Sequence, residues 1–489
     1  LSIAPEAVGD LLYLKGGDAQ IPALADGRHL LIEMPDGQIR LPLSLVWKRI
    51  PGFWPKDEWT SRRDATAATA VEARYANIWW AIENGLTIEV ADEIRALHKQ
   101  DPDNAPTTRL ARALDRLDQP CAGGEFSRFQ KALAIQTEVA TGPHAILLHQ
   151  HSEAEARERL DVLERVVRGF ILMLAGQGIE LPVPRQKMVS AWFADEHDYR
   201  AFLHSENADV FATTRGYYHP TWNAVVAYDA RSNDQQKKPR DLLASKRDEL
   251  RRYGALLDGA GGKARVKVKL GNEPLRTVSL TEARSLIERV KADVDCEAML
   301  LDLDRRYVDL GTAAHEMIHQ LSANTGFSPD HRAFPQWLGE GFAAQFEVIR
   351  GGRWSGISRA HDLRLPDWRK LSPPPKLERV IHDVGFGHGY NRDVYAQCWA
   401  LVYFLRTQHT DKFLTYLDLL RNPDKRSSAT EPRAAGAEHQ LAVFQRAFGA
   451  DLTALEKEWH RFMKTVKTPL EQHAPAPAPA AKAKSKAVS

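Results

Sequence analysis

His315-Glu316-Met317-Ile318-His319 places two imidazoles and a carboxylate at a spacing that can do chemistry. Residues four apart on a helix lie one above the other, so both rings leave the same face and can reach one metal ion at about 2.0–2.1 Å. Glu316 then falls beside the ion, where a carboxylate can take a proton from an activated water. A catalytic zinc site needs a third protein ligand and an open fourth position. Glu340 is the candidate. It sits in Trp337-Leu338-Gly339-Glu340-Gly341-Phe342-Ala343, within a segment from Gln336 to Ile349 that reads as a largely apolar helix. Burying an unpaired carboxylate is costly, and a metal offsets that cost.

The elements around these residues must position them. Tyr307 to Ala314 runs into the motif with helical spacing and no breaker, and Met317 and Ile318 are apolar, as a helix packed in a core requires. An ordinary amphipathic helix with two solvated histidines would share the five-residue pattern, but it would not account for the second carboxylate on an apolar helix.

The two motifs resemble those of the gluzincin zinc metallopeptidases, which include thermolysin-like enzymes and a large group of aminopeptidases. The resemblance implies one zinc ion held by His315, His319 and Glu340, with Glu316 as general base; Gln320 after His319 also fits. Tyr395-Ala396-Gln397-Cys398-Trp399-Ala400-Leu401 is similar to the helix that carries the oxyanion-stabilising tyrosine, which implies that role for Tyr395, with Tyr390 and His388 as alternatives. Gln397 and Cys398 stand where that family carries lysine and glycine. The chain also lacks a Gly-Ala-Met-Glu-Asn-like anchor for a free N-terminus, so endopeptidase action is expected over aminopeptidase action. More narrowly, the chain resembles a bacterial group known as domain of unknown function 1570, over about residues 126–466.

The fold this implies is α+β, a thermolysin/gluzincin-like core of a small mixed sheet and active-site helices. By the same resemblance, Ala224 to Tyr228 is expected to be the sheet edge along which an extended substrate adds, with Gly216-Tyr217-Tyr218 near the cleft. Glu347 and Asp309 are candidates to orient the ligating histidines.

At 489 residues the chain needs more than one core. Residues 1–60 read as short strands of a small SH3-like β-barrel, and 61–125 as a helical linker with one tetratricopeptide-like pair, Asn77 to Ile94. Residues 126–230 read as the N-terminal α/β part of the core, 231–300 as a charged, mostly helical insertion, and 301–470 as the zinc-binding part. Helices are expected near 393–408, 411–421 and 438–466, with a loop-rich stretch over 351–390. The Ala/Pro/Lys-rich tail, 471–489, is expected to be disordered.

Lys+Arg 66 against Asp+Glu 64 leaves a net charge of +2, which gives no global field for nucleic acid, and no run of 18 apolar residues could span a membrane. Cys121, Cys296 and Cys398 are too few and too scattered for a disulfide framework or a thiolate metal site. His149 and His151 read as surface histidines, and His382 and His388 as bordering the cleft without binding metal. The start at Leu1 suggests a removed signal and an extracytoplasmic location. The expected partner is a peptide or protein substrate. The alternative is a catalytically inactive scaffold that retains a metal-stabilised core.

Overall fold

The computed structural model describes residues 9–473 apart from 15–16, 26–28, 35–36, 43–45, 51–54, 125, 260–264, 270–274, 329–333, 387–389 and 423–436; before residue 55 it describes backbone pairing alone. The architecture is α+β. His388 and most of the C-terminal tail, residues 474–489, lie outside the described residues.

The first strands are β1 (Gly9–Leu14), β2 (Gly17–Ala25), β3 (His29–Met34), β4 (Gly37–Pro42) and β5 (Val46–Ile50). They form an antiparallel sheet in the order β4-β3-β2-β1-β5. β4 and β5 are its two edges, so no barrel closes among the described residues. Helices α1 (Pro55–Ala65), α2 (Val71–Glu83), α3 (Ala91–Gln100), α4 (Ala105–Leu117) and α5 (Ser127–Ala132) follow. The apolar faces of α2 to α4 (Ile78, Ile94, Leu110, Leu114) share one core with the long helix described next. Arg109 ties the two together by donating to the Ala175 carbonyl at 3.1 Å. A lone helix pair cannot bury its own face, and here that face is covered by the neighbouring layer.

A mixed sheet is built from β6 (Glu138–Thr141), β7 (Ala145–His149), β8 (Met188–Phe193), β9 (Gly216–His219) and β10 (Ala224–Tyr228), with α6 (Glu153–Gly176) and α7 (Glu196–Ser205) in its crossovers. The order is β6-β7-β8-β10-β9, with β7, β8 and β10 parallel and β6 and β9 antiparallel at the edges. Every residue of β7, β8 and β10 is buried, as strands covered on both faces must be. This corrects the expectation for Ala224 to Tyr228. That strand is interior, and the edge facing the cleft is β9, whose partner on one side is β10 and on the other side none among the described residues.

Next come α8 (Asp234–Asp258), β11 (Arg265–Val268), β12 (Arg276–Ser279) and α9 (Leu280–Asn324). α9 starts at a capping box of Ser279 and Glu282 and runs unbroken across position 300 into the histidine motif. Its first half and α8 pack around Leu243, Leu250, Leu257, Ile287 and Val294.

The remainder is α10 (Gln336–Ala343), β13 (Ile349–Arg350), β14 (Arg353–Trp354), α11 (Arg364–Lys370), α12 (Leu377–Ile381), α13 (Arg392–Gln408), α14 (Thr410–Arg421), α15 (Ala437–Phe448), α16 (Leu452–Thr465) and α17 (Pro469–His473). The helix expected over 438–466 is two, because Gly449 takes a left-handed φ of +96° and Asp451 caps the next helix by accepting from the Ala454 amide. α11 and α12 fall in the stretch read as loop. The segment from Gln336 to Ile349 is α-helical only to Ala343, then tightens into a 3-10 turn over residues 344–346. That turn brings Glu347 against α9 at Gly311, where a Cβ would stand 2.9 Å from the Glu347 carbonyl oxygen.

His149 and His151 are buried rather than on the surface, and His151 Nε2 lies 3.1 Å from Asp229 Oδ2. The three cysteines are free. Among the described residues no helix is long and apolar enough to cross a membrane.

Candidate metal centre

α9 and α10 bring His315, His319 and Glu340 together. One donor atom from each lies within 4.8 Å of the others, a grouping that could hold a metal ion. Glu340 Oε2 is 3.0 Å from His315 Nε2, the two Nε2 atoms are 3.1 Å apart, and Glu340 Oε1 is 3.5 Å from His319 Nε2. Ligands about 2.0–2.1 Å from one tetrahedral ion are separated from one another by about 3.3 Å, so the three spacings fit a common centre.

The protonation pattern supports the same fit. His315 Nδ1 is 2.7 Å from Glu347 Oε1 and donates to it, which fixes the ring so that Nε2 faces the cage. Glu347 also accepts from His361 Nε2 at 2.8 Å, and from Arg364 Nε and Nη2 at 3.0 and 2.9 Å. Four donors fill both carboxylate oxygens. His361 is itself locked, because its Nδ1 accepts from the Leu363 amide at 3.1 Å and stands 3.2 Å from the Tyr307 hydroxyl. Two imidazole nitrogens 3.1 Å apart need a proton or a metal ion between them. Burial works against a charged ring at His315, yet Glu340 and Glu347 outweigh it and raise its pKa well above the usual histidine value. The pocket therefore draws positive charge, whether proton or metal.

The carboxylates differ. Burial opposes ionisation of Glu340, but His319 and His315 overcome it and hold its carboxyl below the ordinary range. At Glu347 burial is overcome by the Arg364 charge and by the His315 and His361 hydrogen bonds, with the same result. Glu316 moves the other way. Burial raises it, against the pull of His315 and His319, and the nearby Glu340 charge adds to the rise. A carboxylate that holds a proton more tightly is a better base. Tyr395, in the first turn of α13, has its ring 6.1 Å from that of His315. Burial, with the Glu340 and Glu316 charges, keeps its phenol protonated.

These groups line a cleft of about 1160 Å³ whose floor follows α9 from Asp304 to Ala323, with β9 on one wall and Tyr390, Tyr395 and Arg364 on another. Asp309 does not orient a ligand. It accepts from the Ala230 amide at 3.0 Å and pairs with Arg159 and Arg305. His382, at the end of α12, is not among the residues lining the cleft. His361 and Arg364 carry no local spacing signal and were not foreseen.

α10 is held from outside its own sequence. Pro335 precedes it without a side-chain cap, and Asp383 supplies one by accepting from the amides of Gln336 and Trp337 at 3.0 and 2.6 Å. Asp383→Ala is expected to cost about 1 kcal/mol of stability, measured by thermal unfolding, and to weaken metal binding through the loosened Glu340 helix. Gly341 lets α10 approach α13. A Cβ there would clash with the Cys398 carbonyl and lie 2.7 Å from Val402 Cγ2, whereas Gly339 faces open space. Gly341→Ala should therefore destabilise by about 1–3 kcal/mol, while Gly339→Ala should be neutral or stabilising by up to about 1 kcal/mol. Denaturation midpoints of the two variants make the comparison.

No curated protein matches the chain. Residues 309–424, which carry His315, Glu316, His319, Glu340 and Tyr395, match the model of a family described as protein of unknown function (DUF1570).

Proposed function

We propose that the chain is a zinc-dependent peptidase with a gluzincin-type core, in which His315, His319 and Glu340 hold one zinc ion and Glu316 is the general base. The observation that carries this reading is the convergence of three donors at 3.0 to 3.5 Å, with a buried carboxylate of raised pKa next to them in a cleft. Zinc bound there supplies Lewis acidity for a carbonyl and lowers the pKa of water toward about 7. Glu316 takes the proton of the attacking water and passes it to the departing amine. Tyr395, protonated and with its ring 6.1 Å from that of His315, turns its hydroxyl to the developing oxyanion; such a donor is typically worth about 2.7–4 kcal/mol in the transition state.

An extended peptide has a ready template in β9, whose outer edge carries no strand among the described residues. The cleft continues along α9 on both sides of the ligands, from Asp304 to Ala323, so chain can lie to either side of the scissile bond. This favours an endopeptidase.

Metal analysis of the purified protein, together with a peptide-library digest, tests the reading. The expected result is one zinc per chain and cleavage that a chelator abolishes and added zinc restores. Stoichiometric zinc with no cleavage of casein or of any library peptide would instead make the chain a metal-stabilised scaffold.

A further inference from the structure

Arg364, the first residue of α11, has a side chain 11% exposed, and its guanidinium donors reach two separate parts of the site. Nε and Nη2 grip both oxygens of Glu347 at 3.0 and 2.9 Å. Nη1 donates to the Tyr390 hydroxyl at 3.0 Å, and the guanidinium carbon stands 5.3 Å from the centre of the Tyr395 ring. The Tyr390 and Tyr395 rings are themselves 4.9 Å apart. We propose that Arg364 is a positioning residue that couples the metal cage to the tyrosine wall of the cleft.

The coupling follows from what each arm does. On the cage side, Arg364 is, among the described residues, the one positive charge bonded to Glu347 that does not depend on protonation of an imidazole. Without it, Glu347 is a buried carboxylate with one imidazole donor on each oxygen, and each oxygen has lost its second partner. Its carboxylate is then free to shift away from where four donors held it, and the ring of His315 loses its fixed orientation. On the tyrosine side, Tyr390 accepts from the guanidinium, so its own proton remains free to point into the cleft. Tyr395 has a cation against its ring, which holds the two phenols in one arrangement. Lysine cannot replace this. A point charge on a flexible stem does not reproduce a planar fork that meets two carboxylate oxygens and a phenol together. Recognition of a substrate carboxylate is a poor alternative role, because the fork that would bind it is already closed on Glu347.

The effect on turnover rests on the peptidase reading; the effect on metal does not. The test uses the zinc-loaded protein and four variants: Arg364→Lys, Arg364→Gln, Tyr390→Phe and the Arg364→Gln/Tyr390→Phe double. Zinc affinity is read by competition with a coloured chelator, and folding by circular dichroism. Arg364→Gln should bind zinc at least about 10-fold more weakly, Arg364→Lys should recover only part of the loss, and Tyr390→Phe should match the unsubstituted protein. At saturating zinc, kcat should fall in Arg364→Gln and in Tyr390→Phe with KM little changed. The double variant should lose no more than Arg364→Gln alone, because Tyr390 acts through Arg364. Unchanged zinc affinity in folded Arg364→Gln overturns the proposal, and so do kcat losses that multiply in the double variant. If Arg364→Gln does not fold, Arg364→Lys decides on the same zinc measurement. If the unsubstituted protein cleaves nothing, the peptidase reading fails, while the zinc comparison still decides the role of Arg364.

Discussion

Replacing Glu316 with Gln is expected to lower peptide hydrolysis by about 10²–10⁴-fold while the protein still binds one zinc ion. The amide keeps the shape of the side chain but cannot accept a proton. The three donors of the cage, His315, His319 and Glu340, are left as they are. The variant should also unfold no earlier than the parent. Burial pushes the Glu316 carboxyl above its usual pKa, so its charge is held at a cost to the folded state, and a neutral isostere removes that cost. Loss of activity with retained zinc and unchanged or higher thermal midpoint is the signature of a base. Loss of zinc or of folding in the same variant would make Glu316 a structural residue and remove the proposed proton transfer.

The three candidate metal ligands were legible in the sequence because their chemistry is written in local spacing. Two histidines four apart on a helix, and a carboxylate in an apolar helical segment, need no tertiary information to be read. Glu347 was legible as a candidate for the same reason, two turns after Glu340, although the chain reaches it through a 3-10 turn rather than a continuous helix. What could not be read depends on partners remote in sequence. His151 looked like a surface residue because Asp229, which buries and bonds it, lies 78 positions away. Asp383 caps α10 from 46 and 47 residues downstream, so no capping pattern precedes that helix. Arg364 sits in a stretch broken by prolines and glycines, where a short helix leaves little periodicity. Strand order is likewise nonlocal. Ala224 to Tyr228 and Gly216 to His219 form one hairpin, and only the parallel pairing of β10 with β8 decides which of them is the edge.

The largest loss of stability is expected not at the cleft but behind it, at Asp229. Glu155, Asp229 and Asp309 meet Arg159, Arg231 and Arg305 where α6, the turn after β10 and α9 converge. Asp229 is 2.7 Å from Arg231, 3.2 Å from Arg159 and 3.6 Å from Arg305. Glu155 lies 3.0 Å from Arg231 and 3.3 Å from Arg305, and Asp309 lies 3.3 and 3.2 Å from Arg159 and Arg305. Except for Arg231, these side chains are no more than 4% exposed. Three buried carboxylates thus meet two buried guanidiniums and the partly exposed Arg231, and Arg305 also pairs with Asp302 at 3.0 Å. Asp229→Asn leaves one guanidinium uncompensated, and breaking a buried pair from one side costs about 3–5 kcal/mol. The cost should be visible as a lower urea midpoint at neutral pH. Arg231→Gln, added to Asp229→Asn, restores the sum of charge and should recover part of the loss, because Arg231, 35% exposed, is the least expensive of the three to remove. The pH dependence gives a second check. Burial opposes ionisation of Asp229, but His151, Arg231 and Arg159 outweigh it and hold the carboxyl well below the ordinary range. Its contribution is therefore complete above the unfolded value of about 3.9 and drains away only as the pH falls below that. The gap between parent and Asp229→Asn should persist in mild acid, where Asp309, raised to about 6 by burial and by the Asp229 charge, also titrates, and should narrow in strong acid. A double variant as unstable as Asp229→Asn alone would mean that the individual hydrogen bonds, rather than the neutral sum of charges, hold α9 against the sheet.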